Sequence, residues 1–338
     1  MSTHQNGGMS RRTFVQQTGV LAGGALLGSA VGGVAAEGAG ALPQRVLGRT
    51  GVKLTALTLG TAPCGFAKPD DPANVAKCVN AAIDLGVTSI DTAPAYNIGE
   101  QGVGMALGSR RKDIFLATKV MADSPEAAEK IFANSLAVLK TDYVDLLYFH
   151  HLGDRKIKES LEPDGMIAWL VKQKKAGKIR FIGASGHNRP KNFLPVLESG
   201  EIDVILTVIN FVDQHTYRFE ETVLPIARKH NCGIVAMKVY GGARKMDYPD
   251  PKCPPQLDKE HLKLAVRYTL GVEGVTTLNI GVHNVEQVKR NVALVANYKP
   301  LSDAECASAA ELGRKLASQW KDHFGPLAGI SRVPDNHC

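Results

Sequence analysis

The sequence predicts an α/β protein, a single closed (β/α)8 barrel with an N-terminal β-hairpin, and three observations carry that prediction. Short apolar runs alternate with helical segments along most of the chain. The runs are nearly continuous in Val, Ile, Leu and Phe rather than alternating, as expected for parallel strands covered on both sides. Eight such strand-helix units follow one another, and that repetition favours closure over an open doubly wound sheet. Gly60-Thr61-Ala62-Pro63-Cys64-Gly65 after the first run is also not the Gly-rich fingerprint that a doubly wound dinucleotide fold places there. With 338 residues, 44% of them hydrophobic, the chain can bury a core of this size.

Residues 1–36 differ from the rest. Ser10-Arg11-Arg12-Thr13-Phe14-Val15 opens an uncharged Gly/Ala/Leu-rich stretch that ends Val34-Ala35-Ala36 before Glu37. This pattern resembles a twin-arginine export signal, cleaved after Ala36. The competing reading is a membrane anchor over residues 14–36, for which six glycines are a poor composition. On the export reading the protein is periplasmic or extracellular, meets the twin-arginine translocase already folded, and has no stable membrane insertion after cleavage.

The barrel occupies residues 37–315. Arg45 to Leu54 forms two β-prone arms around Gly48-Arg49-Thr50-Gly51, a hairpin pattern. The eight strands are expected at Ala56 to Gly60, Thr88 to Asp91, Ile114 to Lys119, Val144 to His150, Ile179 to Ala184, Val204 to Val208, Ile234 to Val239 and Val275 to Ile280. Between them, Ile131, Phe132, Leu136 and Leu139 share one helical face. Ser302-Asp303-Ala304-Glu305 is a capping box for a last helix, and residues 316–338 read as a tail.

The formal charge is +7, of which Arg11 and Arg12 supply two, and the remainder is dispersed. The Lys172 to Arg180 stretch alternates with apolar residues, as a solvated helix end does, so nucleic-acid binding is not expected. Six cysteines stand far apart with no CxxC pair, which predicts free buried thiols and no metal site.

In such a barrel the chemistry lies at the C-terminal strand ends. There the sequence places Asp91, Tyr96, Lys119 and His150. A tyrosine needs help to exchange a proton near neutrality. An ammonium such as Lys119 favours its ionisation, Asp91 keeps that ammonium charged and oriented, and neutral His150 can hydrogen-bond a carbonyl oxygen. His151 and His187 lie near the same mouth, either as polar rim or as substrate contacts.

Leu47-Gly48-Arg49-Thr50-Gly51, Ile90-Asp91-Thr92-Ala93 with Tyr96, Thr118-Lys119, Asp145 to His150 and Gly177 to Ser185 resemble, in order, the signatures of aldo-keto reductases over residues 45–315. The resemblance implies an NAD(P)H-dependent oxidoreductase that reduces a small aldehyde or ketone. Asp91, Tyr96, Lys119 and His150 are then its catalytic residues, with Tyr96 the general acid. For the cofactor it implies Ser185 at the nicotinamide carboxamide, Met237 where a ring usually stacks, Lys238 near the pyrophosphate, and Gly281, Gln287 and Asn291 around the adenosine. NADP is the expected dinucleotide and NAD the alternative. Lys289 or Arg290 is placed to meet a ribose phosphate.

Three positions depart from the family: Gly186 follows Ser185 in place of Asn, Leu206 stands for a glutamine, and Met237 for an aromatic. These departures leave open a barrel that binds nucleotide as a sensor or partner subunit without turnover. A metal hydrolase using the histidines is a third class, but the remaining strand ends supply no further ligands. Export adds the expectation of a tightly held cofactor carried out with the folded protein. The polar loops after the fourth and seventh strands suggest a polar or anionic substrate.

Overall fold

The computed structural model describes residues 40–328. The expected twin-arginine signal and the expected cleavage after Ala36 lie outside them, as does Cys338. Gln44–Val46 (β1) and Lys53–Thr55 (β2) pair antiparallel, with Gly48–Thr50 as a helical turn between them. Leu47 is fully buried at the tip, and Gly48 has its Cα face against the backbone of Cys232 and Gly233. A Cβ at Gly48 would lie 2.3 Å from the Gly233 nitrogen, so only glycine permits this approach. The hairpin therefore closes the end of the barrel where strands begin.

Eight strands follow: Leu57–Gly60 (β3), Ser89–Asp91 (β4), Phe115–Val120 (β5), Val144–Phe149 (β6), Ile179–Gly186 (β7), Val204–Val208 (β8), Gly233–Met237 (β9) and Val275–Gly281 (β10). All are parallel to their neighbours, in sequence order, and β10 pairs with both β9 and β3 to close the ring. Each coincides with an expected strand. The seventh ends sooner than expected, because Lys238 adopts φ 57°, a left-handed conformation that turns the chain out of the sheet.

Helices wrap the outside. Pro125–Leu139 begins at Ser124, whose side chain accepts from Ala127 N–H, and buries Ala128, Phe132, Ser135 and Leu139. Asp303–Trp320 begins with the expected capping box between Ser302 and Glu305. It runs on through Trp320, so residues 316–320 are helix rather than tail. No Pro or Gly interrupts the sequence there, and Trp320 and Phe324 are buried against the barrel mouth.

Among the described cysteines, Cys64, Cys78 and Cys232 are buried free thiols, Cys253 is half-buried, and Cys306 is exposed, contrary to the expectation of burial. Cys306 falls in the first turn of the last helix, whose inner face is made by Ala309, Gly313 and Trp320. No helix among the described residues is long and apolar enough to cross a membrane.

Candidate active site

Asp91 ends β4, Lys119 lies in β5 and His150 follows β6, so their side chains meet at the C-terminal mouth. Lys119 is 2% exposed, and its Nζ donates to Asp91 Oδ1 at 2.5 Å and to the Thr92 carbonyl at 2.9 Å. An ammonium this deep is tolerable only with a charged partner. Tyr96 reaches the same point from the loop after β4. That loop is fixed by Tyr96 N–H donating to Ala93 O and Gly99 N–H to Tyr96 O. A Cβ at Gly65 would sit 2.4 Å from the Tyr96 carbonyl, so a glycine there lets the helix Ala62–Phe66 brace the loop. Lys119 Nζ stands 4.8 Å from the Tyr96 ring centroid. The His150 ring meets the Tyr96 ring edge-on, 6.1 Å between centroids.

Burial, reinforced by the charges of His151 and Lys119, holds His150 well below the usual histidine range. It is therefore neutral at physiological pH and can donate one hydrogen bond. Burial and then Lys238 do the same to His187. Rings of His150, His151 and His187 form a row with centroids 4.5 and 5.1 Å apart along one wall of the cleft. His151 takes a left-handed backbone, φ 54°, and its Nδ1 lies 3.8 Å from Asp154, which Arg189 also pairs. Among the described residues no group of His, Cys, Asp and Glu is arranged to hold a metal.

The cleft takes in about 950 Å³ of open space between this wall and the ends of β9, β10 and β3. Of the residues expected around a cofactor, Met237, Lys238, Gly281 and Gln287 line it. Ser185 sits inside the barrel end opposite Leu206, with a buried Oγ that has no hydrogen-bond partner. Asn291 lies behind the wall. Its Oδ1 accepts from Tyr240 and from Arg290, both of which line the cleft, while its buried Nδ2 has no partner. Gln287 turns its Oε1 to the His283 N–H at 2.8 Å. Lys238 Nζ donates to the Tyr248 hydroxyl and lies 5.5 Å from the Phe324 ring centroid. Arg290 faces the cleft, whereas Lys289 is exposed and paired with Glu286.

Sequence reasoning missed Tyr240, His283, Asn279 and Phe324. Phe324 was assigned to a tail, yet its ring packs against His187 and Tyr217, and its N–H donates to the Tyr217 hydroxyl at 2.6 Å. The only sequence signal was an apolar residue continuing beyond a helix that nothing interrupts.

The barrel and this strand-end cluster define an oxidoreductase architecture, and the chain belongs to the aldo/keto reductase family, whose model matches residues 56–261. It is similar to L-galactose dehydrogenase of Arabidopsis thaliana, 28% identical over 301 residues that cover 79% of this chain and 92% of that one. Pyridoxal 4-dehydrogenase of Microbacterium luteolum is 27% identical, covering 74% and 92%. Among solved structures, an aldo-keto reductase from Bacillus halodurans in its holo form superposes with a TM-score of 0.64 at 25% identity, covering 88% of this chain and 99% of that one.

The chain is accordingly an NAD(P)H-dependent oxidoreductase acting on carbonyl compounds. The alternative of a barrel without turnover finds no support. The residues present fit a nicotinamide dinucleotide: Ser185 Oγ and Asn291 Nδ2 are buried polar atoms without a hydrogen-bond partner, and Met237, Lys238, Gly281 and Gln287 line the cleft.

Proposed function

We propose that this protein interconverts a small polar carbonyl compound and its alcohol with NADP, using Tyr96 as the proton donor and acceptor. The observation that carries the reading is the Tyr96 ring set between the Lys119 ammonium and the neutral His150 at the mouth of the cleft. Lys119, kept charged by Asp91, favours the ionised phenol and so brings its proton within reach near neutrality. His150, neutral and desolvated, donates to the substrate oxygen and orients it toward Tyr96. A nicotinamide held in this cleft would supply or accept the hydride. By the family resemblance Ser185 would meet its carboxamide and Met237 its ring, with Gly281, Gln287 and Asn291 toward the nucleotide end. Lys238, which lines the cleft, would meet the pyrophosphate.

NADP rather than NAD is supported by Arg290, a cation that lines the cleft beside Gln287. A polar substrate is supported by His151, His187 and Lys238, which give the opening hydrogen-bonding groups in place of an apolar rim. Relatives named for L-galactose and pyridoxal are in keeping with that. Residues 1–36, on the sequence pattern, direct export of the folded protein by the twin-arginine route, which allows a tightly held cofactor to travel with it.

Two measurements test the reading. Tyr96→Phe should lower turnover of an aromatic aldehyde with NADPH by about 10²–10⁴-fold while quenching of NADPH fluorescence is retained. Equal turnover in the variant would remove Tyr96 from its role. Mass spectrometry of protein taken from the periplasm should find NADP. Protein found only in the cytoplasm would sink the export reading.

A further inference from the structure

The three histidines on the cleft wall differ in how their ring nitrogens are used. His150 meets Tyr96 edge-on, and its Nδ1 is sealed inside the protein. His151 turns its Nδ1 toward Asp154, 3.8 Å away. His187 lines the cleft, and neither of its ring nitrogens is hydrogen-bonded to a described residue or sealed from the cleft. It is thus the ring of the row whose polar capacity the described protein leaves unused. Two ring contacts, 4.5 and 5.1 Å between centroids, separate it from His150. His187 therefore does not share the reacting oxygen with His150 and instead faces space farther along the cleft.

Its surroundings hold this ring in place. His187 follows Gly186, the last residue of β7, which packs so near Phe193 that a Cβ there would lie 3.1 Å from that ring. The next residue, Asn188, is buried and donates to the Phe324 carbonyl at 3.3 Å. Arg189 beyond it pairs with Asp154. Phe324 in turn lays its ring against His187, 5.8 Å between centroids, and the Tyr217 hydroxyl bonds the backbone of both Phe324 and Gly325. A polar ring packed against two others in this way has little freedom left to lose on binding, as a recognition group requires.

Burial, and then the charge of Lys238, keeps His187 neutral, so its ring offers one N–H donor and one acceptor nitrogen. A hydroxyl has the same double capacity and can pair with either nitrogen, so the match does not depend on the tautomer. A carboxylate could use the N–H alone. An apolar group would cover the ring and leave its nitrogens with neither water nor partner, and a site turns that loss into discrimination between substrates.

We propose that His187 is a specificity-determining residue that hydrogen-bonds a substrate hydroxyl remote from the carbonyl, so that hydroxylated aldehydes and ketones are preferred over their deoxy counterparts. The proposal rests on the catalytic reading given above for the place of the carbonyl, and it narrows a polar substrate to a hydroxylated one. One neutral hydrogen bond at a half-buried wall corresponds to about five- to tenfold in kcat/KM.

The test compares para-(hydroxymethyl)benzaldehyde with para-methylbenzaldehyde, and the meta pair likewise. These aldehydes are rigid, do not cyclise, and differ within each pair by one hydroxyl. With NADPH the native protein should favour the hydroxymethyl member of at least one pair by about five- to tenfold in kcat/KM, and His187→Leu should bring that ratio to about one. His187→Gln, which restores a donor and an acceptor, should recover part of the preference. No preference in the native protein for either pair, or a preference that persists in folded His187→Leu protein, would overturn the proposal. So would an equal fall for both members of a pair, the mark of a structural role. A loss of NADPH affinity in fluorescence titration that matches the loss of turnover would also overturn it, by placing His187 on the cofactor. The same ratio, read calorimetrically as Kd on NADPH-loaded Tyr96→Phe protein, needs no turnover and so stands or falls apart from the role given to Tyr96.

Discussion

The buried Asp91–Lys119 pair offers the sharpest energetic test of the site. Asp91 is 3% and Lys119 2% exposed, so neither charge is screened by water. Asp91→Asn leaves the ammonium with the Thr92 carbonyl at 2.9 Å and an amide oxygen in place of a carboxylate. Breaking a buried pair from one side costs about 3–5 kcal/mol. Since the Thr92 carbonyl survives as an acceptor, the lower end applies, about 3 kcal/mol.

Lys119→Met instead strands a carboxylate whose Oδ2 already lacks a partner, which puts it toward the upper end, about 4–5 kcal/mol. The double variant holds no uncompensated charge and should lose only about 1–2 kcal/mol, a packing cost. Urea unfolding followed by circular dichroism on all four proteins completes the cycle. The expected coupling is several kcal/mol, with the double variant more stable than either single one. If the two losses add to within about 0.5 kcal/mol, the charges do not depend on one another and the account of Lys119 fails.

Burial raises the Glu220 carboxyl to about 7, although its Oε2 accepts from the Tyr268 hydroxyl at 2.8 Å. Because the folded state holds this proton more tightly than the unfolded one, stability is lost as pH rises from the ordinary carboxyl range to about 7 and is flat above it. Glu220→Gln should therefore be more stable than the native chain at pH 8, by about 3 kcal/mol, with the gap closing in acid. Equal melting temperatures at pH 8 would show that the carboxyl is solvated.

Gly313→Ala sets helix propensity against contact. Propensity alone favours Ala by about 1 kcal/mol, but its Cβ would fall 1.9 Å from the Phe211 carbonyl oxygen. The clash should win, lowering the melting temperature and exposing the C-terminal segment to proteolysis. A rise in melting temperature would mean that the helix Asp303–Trp320 is free to shift.

Much of the fold was legible because barrel strands are apolar on both faces and sit at regular intervals. Gly60 to Gly65 excluded a doubly wound sheet, and the Ser302–Glu305 capping box marked the start of the last helix to the residue. The same local logic placed Asp91, Lys119 and His150 at strand ends, where parallel topology must bring them to one mouth. What stayed hidden was any feature that depends on two distant segments. The turn at Lys238 is a backbone choice imposed by the loop that follows. Phe324 is apolar in a stretch without periodicity, and its burial depends on where the barrel mouth lies.

Sequence by itself determined the barrel, the hairpin beneath it and the identity of the four mouth residues, since these follow from periodicity, turn chemistry and strand polarity. Tertiary structure alone decided which oxygen of Asp91 is hydrogen-bonded and that Arg290 rather than Lys289 faces the cleft. The reason is that hydrogen bonds and desolvation act over a few ångströms in space, while sequence patterns record only the face on which a residue lies.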